Sequence, residues 1–144
     1  MTITTSHDER VAVLEAKVEI SELVARYSRC LDGRRTDEFL DLFAEDGVWD
    51  FGPTFGAAEG REQLERLFGV LLQVFPETHH VAGNVVVEVD GETATAAVDA
   101  FATATDTNGR QHTTFASYED RFVHAGGAWR FARRTVTMHT LPTF

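Results

Sequence analysis

The run Thr78-His79-His80-Val81-Ala82-Gly83-Asn84-Val85-Val86-Val87-Glu88-Val89-Asp90-Gly91 divides the chain into two parts of different character. Its segment Val85-Val86-Val87-Glu88-Val89 is dominated by β-branched residues, the side chains that fit a pleated, half-buried surface. Asp90-Gly91 then reads as a hairpin turn, so a strand is predicted over residues 80–89 and its neighbour over 93–105. Asn108-Gly109 and Gly126-Gly127 repeat the signal and set further strands at 110–124 and 128–138. Strands of about ten residues exceed the usual ~5–6, and long strands must twist and curl.

Upstream of this run the apolar residues keep helical spacing. Residues 8–31 carry Val11, Leu14 and Val18 in one register and Ile20, Leu23, Val24, Tyr27 and Leu31 in another, which implies a bend near Val18 or the burial of two faces. Gly33 is expected to close this helix in the left-handed conformation. Thr36 is expected to cap a short second helix bearing Phe39, Leu40, Leu42 and Phe43, ended by Asp46-Gly47. A short strand over 48–51 and a turn-rich loop, Gly52-Pro53-Thr54-Phe55-Gly56, come next. Gly60 introduces a third helix over 61–74, whose apolar stripe includes Leu64, Phe68, Leu71 and Phe75, and Pro76 stops it. Helices followed by an antiparallel meander define an α+β fold: a curved antiparallel sheet wrapped around N-terminal helices, a cone with a pocket at its open end. Trp49, Phe51 and Phe55 are either plain core or the lining of that pocket.

The composition excludes several classes of function. The 144 residues fit one domain, 1–144, with 43% hydrophobic residues and eleven Phe to build its core. Cys30 has no second cysteine, so neither an intrachain disulfide nor a cysteine-type zinc site is available. Twenty-three acidic against thirteen basic residues give a net charge of -10, which repels nucleic acid and anionic membrane surfaces. Residues 1–9 are polar and acidic where a secretory leader needs a basic start and an apolar run, and no stretch approaches the ~20 apolar residues of a membrane span. The expectation is a cytoplasmic protein that acts on a small molecule.

Two kinds of ionisable group lie where elements end. Asp32 closes the first helix, where the helix dipole disfavours a negative charge by roughly 0.3–1 kcal/mol. Either Arg34 or Arg35 neutralises it, or it partners a protonated imidazole. Histidine titrates nearest neutrality, and one fixed on a strand end beside a carboxylate can take a proton from carbon or oxygen. His79 and His80 are adjacent, so on a regular strand one of them enters the cavity, unless a bulge intervenes. Adjacent strand histidines point apart and chelate poorly, and no metal site is expected.

Four motifs taken together resemble the SnoaL-like group of the nuclear transport factor 2-like superfamily, which includes polyketide cyclases, scytalone dehydratase, bile-acid dehydratases and a dehydrochlorinase. They are Tyr27 with Asp32-Gly33, Leu42-Phe43-Ala44-Glu45-Asp46-Gly47-Val48-Trp49, His80 with Asn84 and the Asp90-Gly91 turn, and Gly127-Ala128-Trp129-Arg130-Phe131 with Arg134. The resemblance covers nearly the whole chain and implies the cystatin-like cone described above. It also implies that Asp32 holds a histidine that removes a proton. That histidine is His80, the one four residues before Asn84, with His79 as its competitor. Tyr27 corresponds to a tyrosine that donates to a substrate oxygen. Arg134, with Arg133 as the fallback, corresponds to an arginine that either holds a carbonyl or anionic group or makes a structural ion pair. The chain departs from the dehydratases at Phe101-Ala102-Thr103-Ala104-Thr105, where no acid or imidazole stands. Asp99 has an open register there, and His112 is placed at the far end of the sheet. If Ala102 and Ala104 face the pocket, it is expected to be roomy and mostly apolar.

These readings converge on a cofactor-independent lyase or isomerase, of dehydratase or cyclase type, acting on a small, largely apolar carbonyl metabolite, cyclic or not. Asp32 and His80 are the expected catalytic pair, and Tyr27, Trp49, Phe51, Phe55, His79, Asn84 and Arg134 are the candidate substrate contacts. A non-catalytic ligand-binding or assembly module of the same fold is the first alternative. Epoxide opening is the second, and it needs another carboxylate, Asp50 or Asp99, facing the cavity. The resemblance further implies a homodimer or homotrimer formed through the outer face of strands 93–105 and 113–123.

Overall fold

The computed structural model describes residues 5–140. Four long strands form the predicted meander: β3 (Glu77–Asp90), β4 (Thr93–Thr105), β5 (Gln111–Ala125) and β6 (Ala128–Met138). The chain before them supplies α1 (His7–Asp32), α2 (Thr36–Asp41), β1 (Phe43–Asp50), a single turn α3 (Gly52–Phe55), β2 (Ala57–Glu59) and α4 (Gly60–Val74). The strand order is β2-β1-β6-β5-β4-β3, an unclosed six-stranded sheet with helices against its inner face. One pairing departs from the antiparallel expectation. β1 runs parallel to β6, with Trp49 beside Arg134, so the sheet is mixed. No helix among the described residues is long and apolar enough to cross a membrane.

A bulge in β3 sets which side chains enter the interior. Gly83 pairs with Asp99 and Val86 with Ala97, so β3 spends one residue more than β4 between those pairings, and Asn84 takes φ +51° there. Before the bulge the even-numbered residues face inward, and after it the odd-numbered ones do. His80 and the buried Val87 are an odd number of positions apart, and the extra residue lets both sit on the inner face.

α1 is capped by Ser6, whose hydroxyl accepts the Glu9 N–H at 3.2 Å. It is a single helical span, and the two apolar registers have different fates. Ile20, Leu23, Val24, Tyr27 and Leu31 are buried against the sheet, whereas Leu14 and Val18 remain 62% and 61% exposed. Gly33 does not take the expected left-handed conformation. Its φ is -82°, and the following residue, Arg34, has φ +57° instead. Glycine is needed at 33 because a Cβ there would stand 2.9 Å from the Arg29 carbonyl oxygen. Arg34 then spans the gap to α4, donating to the carbonyls of Leu72 at 2.5 Å and Pro76 at 2.8 Å and so satisfying that helix end. Two further expectations are corrected here. Thr36 is the first residue of α2, with Arg35 at the cap position and no side-chain capping bond, and Phe43 opens β1 instead of closing a helix. The core beneath is largely aromatic: Phe39, Phe43, Trp49, Phe68, Phe122 and Phe131 are all buried.

Candidate active site

The last residue of α1 and the inner face of β3 bring Asp32 and His80 together. His80 Nδ1 lies 2.6 Å from Asp32 Oδ1, which also accepts the Thr78 hydroxyl at 2.9 Å. The other carboxylate oxygen accepts the backbone N–H of His80 at 2.7 Å. Thr78 and His80 share the inward-facing register of β3, so one carboxylate fixes the strand's backbone and both side chains. A carboxylate only accepts, which assigns the proton of the neutral ring to Nδ1 and leaves the Nε2 lone pair for the cavity. The two side chains are 17% and 24% exposed, shielded without being sealed. Neither neighbouring arginine neutralises Asp32. Arg34 serves α4, and Arg35 pairs with Glu38 at 3.6 Å.

Burial by itself pushes the Asp32 carboxyl up. The bonds from the His80 ring and backbone, the imidazole charge and the Thr78 hydroxyl outweigh it and hold the group below the ordinary carboxylate value. A carboxyl lowered on folding stabilises the native state above its unfolded pKa, and that contribution is lost as pH falls through the lowered value. Asp32→Asn is therefore expected to cost about 1–3 kcal/mol at pH 7, the worth of hydrogen bonds to a charged group. The difference from wild type should shrink below about pH 4, where the unfolded carboxyl protonates. Urea midpoints at pH 7 and pH 3 check this, and a deficit equal at both pH values would contradict it.

His80 opens on a cavity of ≈ 130 Å³ between α1, α4 and the sheet. That is close to the size of an engineered cavity that admits benzene, so the pocket is compact, not roomy. Ala100, Ala102 and Ala104 do face it, and Leu71 and Leu72 of α4, with Phe75 just past its end, close its other side. Among the expected contacts, Tyr27, Trp49 and Phe51 line the cavity with His80. The Tyr27 hydroxyl accepts from Trp49 Nε1 at 3.0 Å, and burial pushes its pKa well up, so it stays a neutral phenol.

Four expected contacts lie elsewhere. Phe55, in α3, is 58% exposed and outside the cavity wall. His79 points outward from β3 and pairs with Glu77 at 2.9 Å, as strand alternation requires. Asn84 sits in the bulge and donates to Asp99 at 2.9 Å, an exposed contact away from the pocket. Arg134 is wholly buried and gives two hydrogen bonds to Asp120, at 2.8 and 2.7 Å. Its guanidinium lies 4.2 Å from the Tyr27 ring centroid and 4.0 Å from that of Tyr118, so it supports two wall residues from behind. The fallback, Arg133, binds Asp50. His112 is not at the far end of the sheet. It pairs with Ala104 across β4 and β5, holds Asp106 at 2.9 Å and packs against Phe75.

Thr78, Thr114 and Tyr118 also line the cavity and were missed by the sequence reading. Thr78 was recoverable, since it lies two positions before His80 and therefore on its face. Thr114 and Tyr118 become visible once the β4–β5 register is known.

The fold belongs to one class of protein. Residues 12–135 match the SnoaL-like domain family, and the chain belongs to that family. It is 33% identical to an uncharacterized protein of Mycobacterium tuberculosis, Rv2910c, over 130 residues, 88% of each chain. Among solved structures it resembles a hexachlorocyclohexane dehydrochlorinase, LinA type 2, with a TM-score of 0.86, covering 94% of this chain and 93% of that one. At 19% identity this is a likeness of fold. It also resembles a Novosphingobium aromaticivorans protein provisionally named a scytalone dehydratase, at 26% identity and a TM-score of 0.81, covering 96% and 91%.

Proposed function

We propose that this protein is a cofactor-independent lyase or isomerase that takes a proton from carbon in a small, mostly apolar molecule. The observation that carries the reading is the Asp32–His80 pair, fixed by three hydrogen bonds to one carboxylate and opening on a compact apolar cavity. His80 Nε2 is the base. Asp32 sets the tautomer and compensates the imidazolium as it forms, and the low-polarity surroundings strengthen that compensation. The electron pair released from the C–H bond either expels a leaving group from the adjacent carbon or moves onto a conjugated oxygen, which the neutral Tyr27 phenol can bond. Membership of the SnoaL-like family and structural neighbours named as a dehydrochlorinase and a dehydratase support a reaction of this kind.

Epoxide opening loses its support. Asp50 is bound by Arg133 and the Gly52 N–H, Asp99 by Asn84 and Ser117, and neither lines the cavity. In the same reading two or three copies associate through the outer sheet face, where the exposed Val81, Phe101 and Phe115 lie side by side across β3, β4 and β5.

A panel of small cyclic ketones bearing a β-hydroxyl or β-halide tests the reaction. Wild-type protein is expected to form the enone from at least one of them, with loss of water or halide. Product rates across the panel no higher than those of His80→Gln would contradict the proposal.

A further inference from the structure

Tyr118, on β5, is 4% exposed and lines the cavity, yet its hydroxyl makes no hydrogen bond to any described residue. Among the described residues the buried side-chain atoms without a partner are Ser28 Oγ and Arg134 Nη1, so the Tyr118 oxygen is open to the cavity, where its polar end can meet a ligand. The Tyr118 and Tyr27 rings lie 5.7 Å apart, edge to face, and both lean on the Arg134 guanidinium. That cation is not neutralised on every side. Asp120 takes its Nε and one terminal nitrogen, while Nη1 has no hydrogen-bond partner among the described residues. Its field reaches both phenols and favours negative charge on oxygen there. Tyr118 lines the same cavity as His80.

We infer that Tyr118 is a substrate-holding hydroxyl, which with Tyr27 grips one oxygen of the bound molecule and makes the preferred substrates small cyclic ketones or enones. The inference rests on the proton-abstraction reading and names the substrate class of the same site. Both phenols remain protonated, since burial raises each of them, and each therefore offers an O–H to an acceptor. When His80 takes a proton from the carbon next to the carbonyl, the C–H pair becomes the enolate double bond and the carbonyl pair moves onto oxygen. That oxygen then lies between two donors, with the Arg134 guanidinium behind their rings, and its new charge is stabilised there. An apolar molecule without an acceptor leaves the Tyr118 hydroxyl unmatched.

The test compares binding of cyclohexanone and its hydrocarbon isostere methylenecyclohexane to wild type and to Tyr118→Phe, followed by ligand-observed NMR. Both probes are near the benzene size the cavity suits. Tyr118→Phe keeps the ring and is expected to weaken cyclohexanone about three- to tenfold, the worth of one neutral hydrogen bond, while methylenecyclohexane changes less than twofold or binds more tightly. Unchanged cyclohexanone affinity, equal losses for the two probes, or no binding of either by wild type would overturn the inference. Because the comparison needs no turnover, it can fail while His80-dependent chemistry stands, and it can hold if that chemistry fails.

Discussion

His80→Gln is expected to lower turnover by about 10²–10⁴-fold, the usual worth of a positioned general base, with little change in stability. Glutamine reaches a similar distance and keeps an N–H to offer Asp32, so the carboxylate retains its Thr78 and backbone donors and a substitute for the ring. What disappears is the Nε2 lone pair. Steady-state rates on any substrate of the wild-type protein, together with urea midpoints, separate the two effects. A variant that keeps full activity would remove His80 from the mechanism. One that fails to fold would make the pair a structural device.

The largest expected effect on stability is at Arg134, not in the dyad. Its side chain and that of Asp120 are both wholly buried, joined by two hydrogen bonds in fork geometry. Arg134→Leu leaves Asp120 buried without its partner, and breaking such a pair from one side costs about 3–5 kcal/mol. That is a large part of the ~5–15 kcal/mol of a typical domain. The loss should depend on pH. Burial already raises the Asp120 carboxyl against the pull of Arg134. Without the arginine it has only burial, so its folded pKa stands above the unfolded one. Such a group is best tolerated below its unfolded pKa and increasingly costly as pH rises through the folded one. The variant's deficit should therefore be smaller near pH 4 than at pH 7, and the double variant Arg134→Leu/Asp120→Leu should recover much of it. Thermal or urea unfolding of the wild type and the two variants at both pH values checks this. A single variant as stable as wild type would mean the pair contributes nothing.

The same arginine shows why parts of the fold and site were legible in the sequence and others were not. The bounds of β4 and β6 follow from glycine turn signals, because a tight hairpin depends on a few local residues. The meeting of Asp32 and His80 was expected from two element ends and the family resemblance, and the side chains do meet. β1 was read short because Phe43-Ala44-Glu45-Asp46-Gly47 has no clean alternation: the register slips between Phe43 and Val48, and the strand pairs parallel to a segment far along the chain. The fate of Arg134 turned on Asp120, which faces it across β5 and β6 in a register that a bulge between Arg121 and Phe122 shifts. Side-chain roles set by cross-strand register cannot be read from spacing within one strand. Tyr118 was overlooked for the same reason. The size of the cavity depends on how closely Leu71, Leu72 and Phe75 approach the sheet, a matter of helix placement that composition does not specify.

The most direct test of the central claim is deuterium uptake by cyclohexanone in D₂O, comparing wild type with His80→Gln at equal concentration. Removal of a carbon-bound proton by His80 predicts that wild type exchanges the hydrogens beside the carbonyl at least about 10² times faster than the variant. Equal rates in the two proteins would contradict it.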